Sequence, residues 1–278
     1  MTETQTYRTV LVIAGSDSIG GAGIQADIKT CTANGVYAMT AITAVTAQNT
    51  MGVSGYEAVS PRLLRGQLEA VLGDVRPDAV KIGMLPDVAS VNIVADVIEH
   101  YALRNVVLDP VCVATSGDRL NDSDDVTVSL AGRLLPLADI VTPNIPELEQ
   151  LTGLRVTEDN ALQAAGVFLS SSQAKAVLVK GGHFDGTVCR DILVCGDGTV
   201  IAEESPRIHT LNTHGTGCTL SSAIACGLAH GLSLADAVRY GRKYLTAALA
   251  AGASMKFGHG HGPVNHIYRI IKDKNICR

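Results

Sequence analysis

Short apolar runs rich in β-branched residues alternate along the chain with longer stretches of helical periodicity. The apolar runs predict strands at 9–14, 39–46, 79–82, 105–109, 140–142 and 176–180. The stretches between them predict helices at 22–33, 61–72, 88–101, 124–134, 146–151 and 158–171. Near-continuous apolar strands joined by helical crossovers are typical of a mostly parallel sheet that is covered on both faces.

The C-terminal third departs from this alternation. Two short runs, 186–195 and 200–204, flank a Gly-Asp-Gly turn and predict a β-hairpin. Two further helices are predicted at 217–230 and 233–251. Because no Pro-, Ser- or charge-rich linker divides the chain and no repeat is found, we expect one domain over residues 1–278.

Composition and charge exclude several classes of protein. Hydrophobic residues make up 46% of the 278 and charged residues 18%, which is enough apolar material for a sizeable core. The net charge is −5 without a Lys/Arg run, so nucleic acid is not expected as a partner. The apolar stretch 218–231 is too short and too interrupted to span a membrane. Seven cysteines without zinc-type spacing indicate reduced thiols and a cytoplasmic location.

The first predicted strand runs into a glycine-rich loop, residues 15–23. In open parallel sheets ligands bind beyond the carboxyl ends of the strands, and a loop of this kind lets backbone N–H groups approach a ligand closely. Glycine-rich turns between a strand and a helix are also often only tight turns, and that alternative stays open. The loop matches neither the phosphate-binding P-loop nor a clean dinucleotide fingerprint.

The strongest local signal is Asn-Thr-His-Gly-Thr-Gly-Cys at 212–218, which opens the first C-terminal helix. Gly215 and Gly217 bring unpaired N–H groups and the positive end of the helix dipole together, forming an anion hole suited to a phosphoryl group in transfer. The same helix end should lower the pKa of Cys218, whose thiolate could take a proton from a substrate hydroxyl. The alternative is a glycine-rich cap with a packed cysteine.

Two acidic positions after predicted strands suggest Mg²⁺. Asp109 ends the strand VVLD, and Glu147 follows in TPNIPE. Magnesium in such sites takes one or two carboxylates, with water and phosphate oxygens as the other ligands, although a carboxylate ending a strand can equally cap a helix. Lys180 ends the strand AVLVK, where it is either a point charge for a nucleotide phosphate or an exposed strand-end lysine.

Several segments together resemble the ribokinase-like superfamily and, within it, the hydroxymethylpyrimidine kinase branch. In chain order they are AGSDSIGGAGIQADIKT, TAVTAQNT, KIGML, VVLDPV, SGD, TPNIPELEQLTG, VLVKGGH and NTHGTGCTLSSAIA. Most superfamily members carry Gly-Ala-Gly-Asp at the anion hole, with the Asp as catalytic base. A Cys at that place, as at Cys218, marks the pyrimidine kinases and some pyridoxal kinases. The resemblance implies a three-layer α/β/α fold whose mostly parallel central sheet is covered by helices on both faces.

The resemblance also implies a reaction and a substrate pocket. The expected reaction is ATP-dependent phosphorylation of 4-amino-5-hydroxymethyl-2-methylpyrimidine to its monophosphate and then to the diphosphate, in thiamin biosynthesis. The family's pyrimidine pocket corresponds to Gly15, Ala22, Asp27, Gln48, Met84, Val111 and Cys218. Gln48 can donate to and accept from an aminopyrimidine edge, and Met84 and Val111 offer apolar contact to a flat ring. Some relatives carry Glu in place of Gln48, which leaves the hydrogen-bond pattern at the ring open.

For ATP, the resemblance points to Lys180, Thr213 and the backbone of 215–218, with the adenine between the C-terminal helices and the late loops. Asn144 and Glu147 would hold the water shell of Mg²⁺. Relatives of this kind are commonly dimers, so a homodimer is expected. Cys112 departs from the family pattern; a place near the substrate is open, but we expect a packing role.

Three other functions were weighed against a pyrimidine kinase. A pyridoxine or pyridoxal kinase on the same fold is the nearest, because those rings also carry a hydroxymethyl group. A non-catalytic nucleotide-binding regulator could have lost Cys218 and Lys180, yet both are present. A dinucleotide-dependent dehydrogenase lacks support because no acidic residue stands where the ribose would bind.

Overall fold

The structure is a computed structural model that describes residues 6–111, 124–184 and 186–270. Its strands are β1 (Thr9–Ser16), β2 (Tyr37–Asn49), β3 (Gly52–Ala58), β4 (Ala79–Ile82), β5 (Val106–Leu108), β6 (Ile140–Val141), β7 (Ala176–Val179), β8 (Val188–Cys195) and β9 (Val200–Pro206). Its α-helices are α1 (Gly23–Ala33), α2 (Pro61–Leu72), α3 (Val88–His100), α4 (Asp124–Ser129), α5 (Ile145–Thr152), α6 (Ala161–Ser172), α7 (Thr216–Ala229) and α8 (Leu234–Gly252).

The strands form one sheet in the order β3-β2-β1-β4-β5-β6-β7-β8-β9. The strands from β2 to β7 in this order are parallel to their neighbours, whereas β3, β8 and β9 are antiparallel. Parallel strands need crossovers, and the helices between them supply these and cover the sheet. The carboxyl ends of the parallel strands therefore meet at one edge, where the residues directly after β1, β4, β5, β6 and β7 lie side by side.

Strand β1 shows how the two faces of the sheet are filled. Successive side chains of a strand point to opposite faces. Leu11 and Ile13 belong to the core beneath α2, α3, α5 and α6, while Val10 and Val12 belong to the core beneath α1, α7 and α8. Because both faces are covered, an apolar run without polar alternation is what this strand requires. The predicted three-layer arrangement is confirmed.

Most predicted elements are present, with bounds that differ by a few residues. The strand at 79–82 and the helix at 61–72 are observed as predicted. Strand β3 was not predicted: it lies at the sheet edge, carries two glycines and is largely exposed, so it lacks an apolar run. The helix predicted at 124–134 is wrong in its second half, because α4 gives way to a π-helical turn (Leu130–Leu134) and a 3₁₀ turn (Leu135–Leu137). Pro136 cannot continue an α-helix.

Two features of the sequence analysis do not fall within the residues that the structure describes. Cys112 and the SGD segment at 116–118 lie outside them. In the described ranges, no helix combines the length and the apolar character that crossing a membrane requires.

Candidate active site

A cavity of about 580 Å³ opens at the edge where the parallel strands end. It brings together residues from the loop after β1, from β2, from the ends of β4, β5 and β7, and from the start of α7. Twelve of the predicted site residues line it: Gly15, Ala22, Gln48, Met84, Asp109, Val111, Glu147, Lys180, Thr213, Gly215, Gly217 and Cys218. One predicted residue, Asp27, is not part of the lining.

The first turn of α7 has the geometry of an anion hole. Gly215 is the N-cap, with φ at +79°, and no side chain caps the helix there. Thr216 N donates to Thr213 O at 3.3 Å, which leaves the backbone N–H groups of Gly217 and Cys218 for a ligand. A Cβ atom on Gly215 would lie 1.8 Å from the backbone oxygen of Gly21 in the loop after β1. A Cβ atom on Gly217 would lie 3.4 Å from Asp109 Oδ2 and 3.5 Å from Lys180 Nζ. Both glycines let the helix end approach its neighbours closely.

The thiol of Cys218 lies at this helix end and lines the cavity. Contrary to the expectation from the helix dipole, its pKa is raised to about 11. Burial is the largest cause, and the carboxylates of Asp27 and Asp109 add to it, whereas the ammonium of Lys81 and the backbone N–H of Gly23 lower the pKa. The lowered pKa predicted for Cys218 is therefore wrong, because burial beside two carboxylates outweighs the helix end.

Lys180 bridges the two acidic residues proposed for Mg²⁺. Its Nζ lies 2.9 Å from Asp109 Oδ1 and 3.6 Å from Glu147 Oε2, and its side chain is only 14% exposed. Lys180 is therefore a buried cavity residue and not an exposed strand-end lysine. Burial lowers the pKa of Lys180, but Asp109 and Glu147 outweigh it and raise the pKa above its ordinary value. The Lys180 side chain is thus a charged ammonium that two carboxylates hold in position.

The two carboxylates differ in charge. Burial works against the ionisation of Asp109, yet Lys180 and Lys81 outweigh it and hold the pKa of Asp109 below its ordinary value. Burial raises the pKa of Glu147 to about 7, with Asp109 contributing in the same direction against Lys180. Glu147 also completes a capping box, because its Oε2 accepts from Asn144 N at 2.7 Å while Asn144 Oδ1 accepts from Glu147 N at 2.9 Å. Glu147 is therefore both a helix cap and a cavity residue.

These acidic residues fit a magnesium site. Carboxylate oxygens are the ligands that Mg²⁺ prefers, and one or two of them suffice when phosphate and water complete the shell. Asp109 and Glu147 face the same cavity. Burial is the main reason that the pKa of Glu147 is raised, and the repulsion by Asp109 that adds to it is one that a bound cation would relieve. Within the part of the chain that the structure describes, no larger cluster of His, Cys, Asp or Glu is gathered as a metal site.

A second part of the cavity lining is apolar. Met84 packs with Ala44 and Val111 in a small apolar cluster, and a Cβ atom on Gly15 would lie 2.8 Å from Met84 Sδ. Gln48 stands near the end of β2, where its Oε1 lies 3.4 Å from Thr46 Oγ1. An apolar wall with one amide at its rim is suited to a flat, nitrogen-bearing ring.

Asp27 is not placed where direct contact with a substrate would need it. It is fully buried in the middle of α1, its Oδ2 lies 2.9 Å from Lys81 Nζ, and its Oδ1 accepts a hydrogen bond from Ser222 Oγ at 2.6 Å. Both carboxylate oxygens are therefore already engaged by protein groups. The prediction that Asp27 contacts the pyrimidine is corrected: Lys81, its partner, reaches the cavity lining instead.

The sequence reasoning missed three residues of the cavity, Lys81, Asp17 and His214, and with them the contacts Asp27–Lys81 and Asp17–His214. Asp17 Oδ2 lies 2.9 Å from His214 Nε2 and also accepts from the backbone N–H groups of Gly21 and Ala22, each at 2.8 Å. Burial opposes ionisation of Asp17, but the contacts with His214 and the backbone keep its pKa below the ordinary value. The pair ties the loop after β1 to the loop before α7. Both residues stand inside motifs quoted in the sequence analysis, so their positions next to the glycine-rich loops could have indicated a role in the site.

Sequence comparison gives a consistent answer over nearly the whole chain. A family model described as phosphomethylpyrimidine kinase matches residues 17–265. The chain is 48% identical over 264 residues to the hydroxymethylpyrimidine/phosphomethylpyrimidine kinase of Rhizobium meliloti, covering 95% of this chain and 98% of that protein. The protein of the same description from Escherichia coli is 44% identical over 260 residues, covering 93% and 97%.

Solved structures show the same fold with two kinds of substrate. The ADP complex of pyridoxal kinase from Bacillus subtilis superposes with a TM-score of 0.87 at 34% identity, covering 96% of this chain and all of that one. Phosphomethylpyrimidine kinase from Clostridium difficile gives a TM-score of 0.76 at 41% identity, covering 87% and 99%. The fold is thus ribokinase-like. Because the family model covers residues 17–265 and the relatives match along nearly their whole length, with an anion hole, a half-buried thiol and a bridging lysine around one cavity, the chain belongs to the phosphomethylpyrimidine kinase family.

Proposed function

We propose that the protein phosphorylates 4-amino-5-hydroxymethyl-2-methylpyrimidine to its monophosphate and then to the diphosphate, at the expense of ATP, as a step of thiamin biosynthesis. The observation that carries the proposal is the start of α7, where Gly215, Gly217 and Cys218 face Lys180 and Asp109 across one cavity. This arrangement offers backbone donors, a cation and a proton acceptor at one point, which is what phosphoryl transfer to an alcohol requires.

The two substrates enter from opposite ends of the cavity. The nucleotide lies over α7 and α8, where Leu245, Thr246 and Leu249 provide an adenine surface and Thr213 stands near the phosphates. The pyrimidine lies against Met84 and Val111, with Gln48 at its edge. This placement puts the hydroxymethyl group and the transferred phosphoryl group at the first turn of α7.

In the first phosphorylation, Cys218 takes the proton of the substrate alcohol. The alcohol oxygen forms a bond to the γ-phosphorus, the bond from that phosphorus to the leaving ADP oxygen breaks, and the proton passes to the thiolate sulfur. A thiol with a pKa of about 11 is a strong base once ionised, but little of it is ionised at neutral pH. The charge environment of Cys218 therefore limits this step.

In the second phosphorylation, the acceptor is a phosphate oxygen that is already ionised, so no proton has to be removed. The N–H groups of the α7 first turn and the ammonium of Lys180 stabilise the charge on the transferred group. Mg²⁺, held by Asp109 and Glu147 with the water shell supported by Asn144, would neutralise the charge of the nucleotide phosphates.

The test is an ADP-release assay with the aminopyrimidine alcohol, pyridoxine and pyridoxal side by side. We expect the pyrimidine alcohol to be the best substrate by kcat/KM, with Lys180→Ala abolishing release and Lys175→Ala, a change at an exposed lysine, leaving it unchanged. A preference for pyridoxine or pyridoxal would assign the protein to the second candidate, which the 0.87 TM-score to a pyridoxal kinase supports.

We further propose that the protein acts as one kinase domain over residues 1–278, as a homodimer in the cytoplasm. Strand β2 and the turn between β2 and β3 at the sheet edge carry exposed apolar side chains, among them Val45 and Met51, which a second copy could cover. The cysteines that the structure describes are all free thiols, in keeping with a reducing compartment. Light scattering of the purified protein decides the oligomeric state: a dimer mass that Val45→Lys reduces to a monomer is expected, and a monomer mass for the parent would refute it.

A further inference from the structure

Two buried lysine–aspartate pairs lie side by side beneath the first two turns of α7. In one, Lys180 Nζ lies 2.9 Å from Asp109 Oδ1, and Ser221 Oγ lies 3.3 Å from Asp109 Oδ2. In the other, Lys81 Nζ lies 2.9 Å from Asp27 Oδ2, and Ser222 Oγ lies 2.6 Å from Asp27 Oδ1. The first pair serves the nucleotide phosphates, whereas the second has no part in the reaction so far described.

The Lys81–Asp27 pair is costly to bury, because both groups lose their hydration, and stability alone does not account for it. Both side chains are 0% exposed, and a buried ion pair often contributes no more than apolar residues of similar volume would. Lys81 stands on β4, a strand that is otherwise apolar, and it lines the floor of the cavity. Gly83 keeps the neighbouring space open, because a Cβ atom there would lie 2.8 Å from Lys81 Nζ. The fold thus keeps the ammonium of Lys81 beneath the reaction site.

Ser222 connects the Lys81–Asp27 pair to the face of α7 that carries Cys218. Ser222 follows Cys218 by four residues, so the two side chains lie on the same face of α7, and Ser222 binds Asp27. Four charged groups face the thiol: Lys81 from β4, Asp27 from α1, Asp109 after β5 and Lys180 after β7. Of these, Lys81 is the strongest influence that lowers the Cys218 pKa.

We propose that Lys81 is a positioning residue for the alcohol reaction: its ammonium stabilises the thiolate of Cys218, and Asp27 with Ser222 holds that ammonium in place. The proposal rests on the base role of Cys218 in the proposed function. Lys81 keeps its own proton throughout. The alcohol proton ends on the sulfur of Cys218, and the carboxylates of Asp27 and Asp109 then remain to balance the Lys81 charge.

The two members of the pair should act on the thiol in opposite directions. Removing the positive charge with Lys81→Met disfavours the thiolate, while removing the negative charge with Asp27→Asn favours it, because Asp109 and Cys218 still keep Lys81 charged. A purely structural role would make the two variants change in the same direction. The measurement is the rate at which iodoacetamide alkylates Cys218 at several pH values. Mass spectrometry of the peptide that contains Cys218 follows the reaction, and Cys195 is the reference thiol in the same sample.

We expect Lys81→Met to slow alkylation of Cys218 at least about tenfold at fixed pH and Asp27→Asn to accelerate it, which are effects of the size that a nearby charge produces. Lys81→Arg should restore most of the rate, and the exposed Lys175→Met should leave it unchanged. The double variant Lys81→Met/Asp27→Asn removes both charges of this pair and leaves neither partner uncompensated, so it tests folding, and its rate should lie between those of the single variants. Equal alkylation rates in all variants, or a slower rate in both single variants, would overturn the proposal.

Steady-state kinetics separates this proposal from the proposed function. Lys81→Met should lower kcat for the pyrimidine alcohol at least about tenfold and leave the KM for ATP unchanged, with a much smaller effect on the monophosphate reaction. If the parent protein does not phosphorylate the alcohol, the proposed function fails, while the alkylation result still decides whether Lys81 controls the thiol. If the parent is active and the Lys81→Met thiol reacts as in the parent, only the role of Lys81 is refuted.

Discussion

Substituting alanine for Gly215 tests the anion hole most directly. Gly215 has φ at +79°, a region that L-residues with a Cβ atom rarely adopt, and its added methyl group would lie 1.8 Å from Gly21 O and 3.2 Å from Ala22 Cα. The obstacle is backbone and not the end of a flexible side chain. The loop after β1 and the loop before α7, which the Asp17–His214 contact ties together, would therefore have to move apart.

The size of the effect follows from these distances. The strained backbone costs about 1–2 kcal/mol. Restoring ordinary contact of about 3.4 Å from 1.8 Å requires a displacement of roughly 1.6 Å at the point where the phosphoryl group is transferred. A displacement on the order of 1 Å at a reacting centre can cost about a hundredfold in rate. We therefore expect Gly215→Ala to lower kcat for both phosphorylations by at least about a hundredfold.

Two other glycines provide matched controls. Gly35 has φ at +71° with nothing within 4 Å of an added Cβ atom, so Gly35→Ala isolates the backbone strain. Gly66 lies exposed within α2, also with open space, and Gly66→Ala should stabilise the fold by about 0.5–1 kcal/mol. The assays are ADP release with each acceptor and thermal unfolding. If Gly215→Ala keeps kcat near that of Gly35→Ala, the close approach of the two loops is not needed for transfer and the anion-hole reasoning is refuted.

Three further predictions follow from the cavity and its surroundings. Cys218→Ala should slow phosphorylation of the alcohol by about two to four orders of magnitude and affect the monophosphate reaction far less, because only the alcohol has a proton to lose; equal loss in single-turnover assays of both would make the thiol a structural element. Gln48→Ala should raise the KM for the pyrimidine, with a loss of roughly 1–3 kcal/mol of binding, and leave the KM for ATP within about twofold; a selective rise in the KM for ATP would mean that the two sites are reversed. Burial, with Lys29 and His214 nearby, lowers the pKa of His266 from 6.5 to about 4. The unfolded chain therefore takes up a proton below pH 6.5 that the folded chain takes up only near pH 4, and the free energy of unfolding should fall by about 3 kcal/mol across that window. His266→Gln should flatten this dependence in chemical denaturation at several pH values, whereas His100→Gln, at an exposed position, should keep it; an unchanged slope in His266→Gln would contradict the assignment.

The fold was largely predictable because its strands are buried on both faces. An apolar run such as residues 10–13 satisfies two cores at once, so composition alone marks the strand. Strand β3 is not buried on both faces, and the sequence did not predict it. It is an edge strand with two glycines, and nothing in its own sequence requires it to pair with β2. The turn after α4 failed for another reason, since the effect of Pro136 on the preceding helix depends on how the chain continues.

By itself, the sequence determined the architecture, the anion hole at Gly215 and Gly217, and the identity of twelve of the residues that line the cavity. The architecture follows from local periodicity and the anion hole from its closely spaced glycines, whereas most of the pocket residues followed from the resemblance to the kinase family. Only the tertiary structure decided the electrostatics. Asp27 and Lys81 are 54 positions apart and Ser222 lies 195 positions from Asp27, so no local pattern reveals that they meet beneath Cys218. The sign of the Cys218 pKa shift is a sum over burial and four distant charges, and such a sum exists only once the chain is folded.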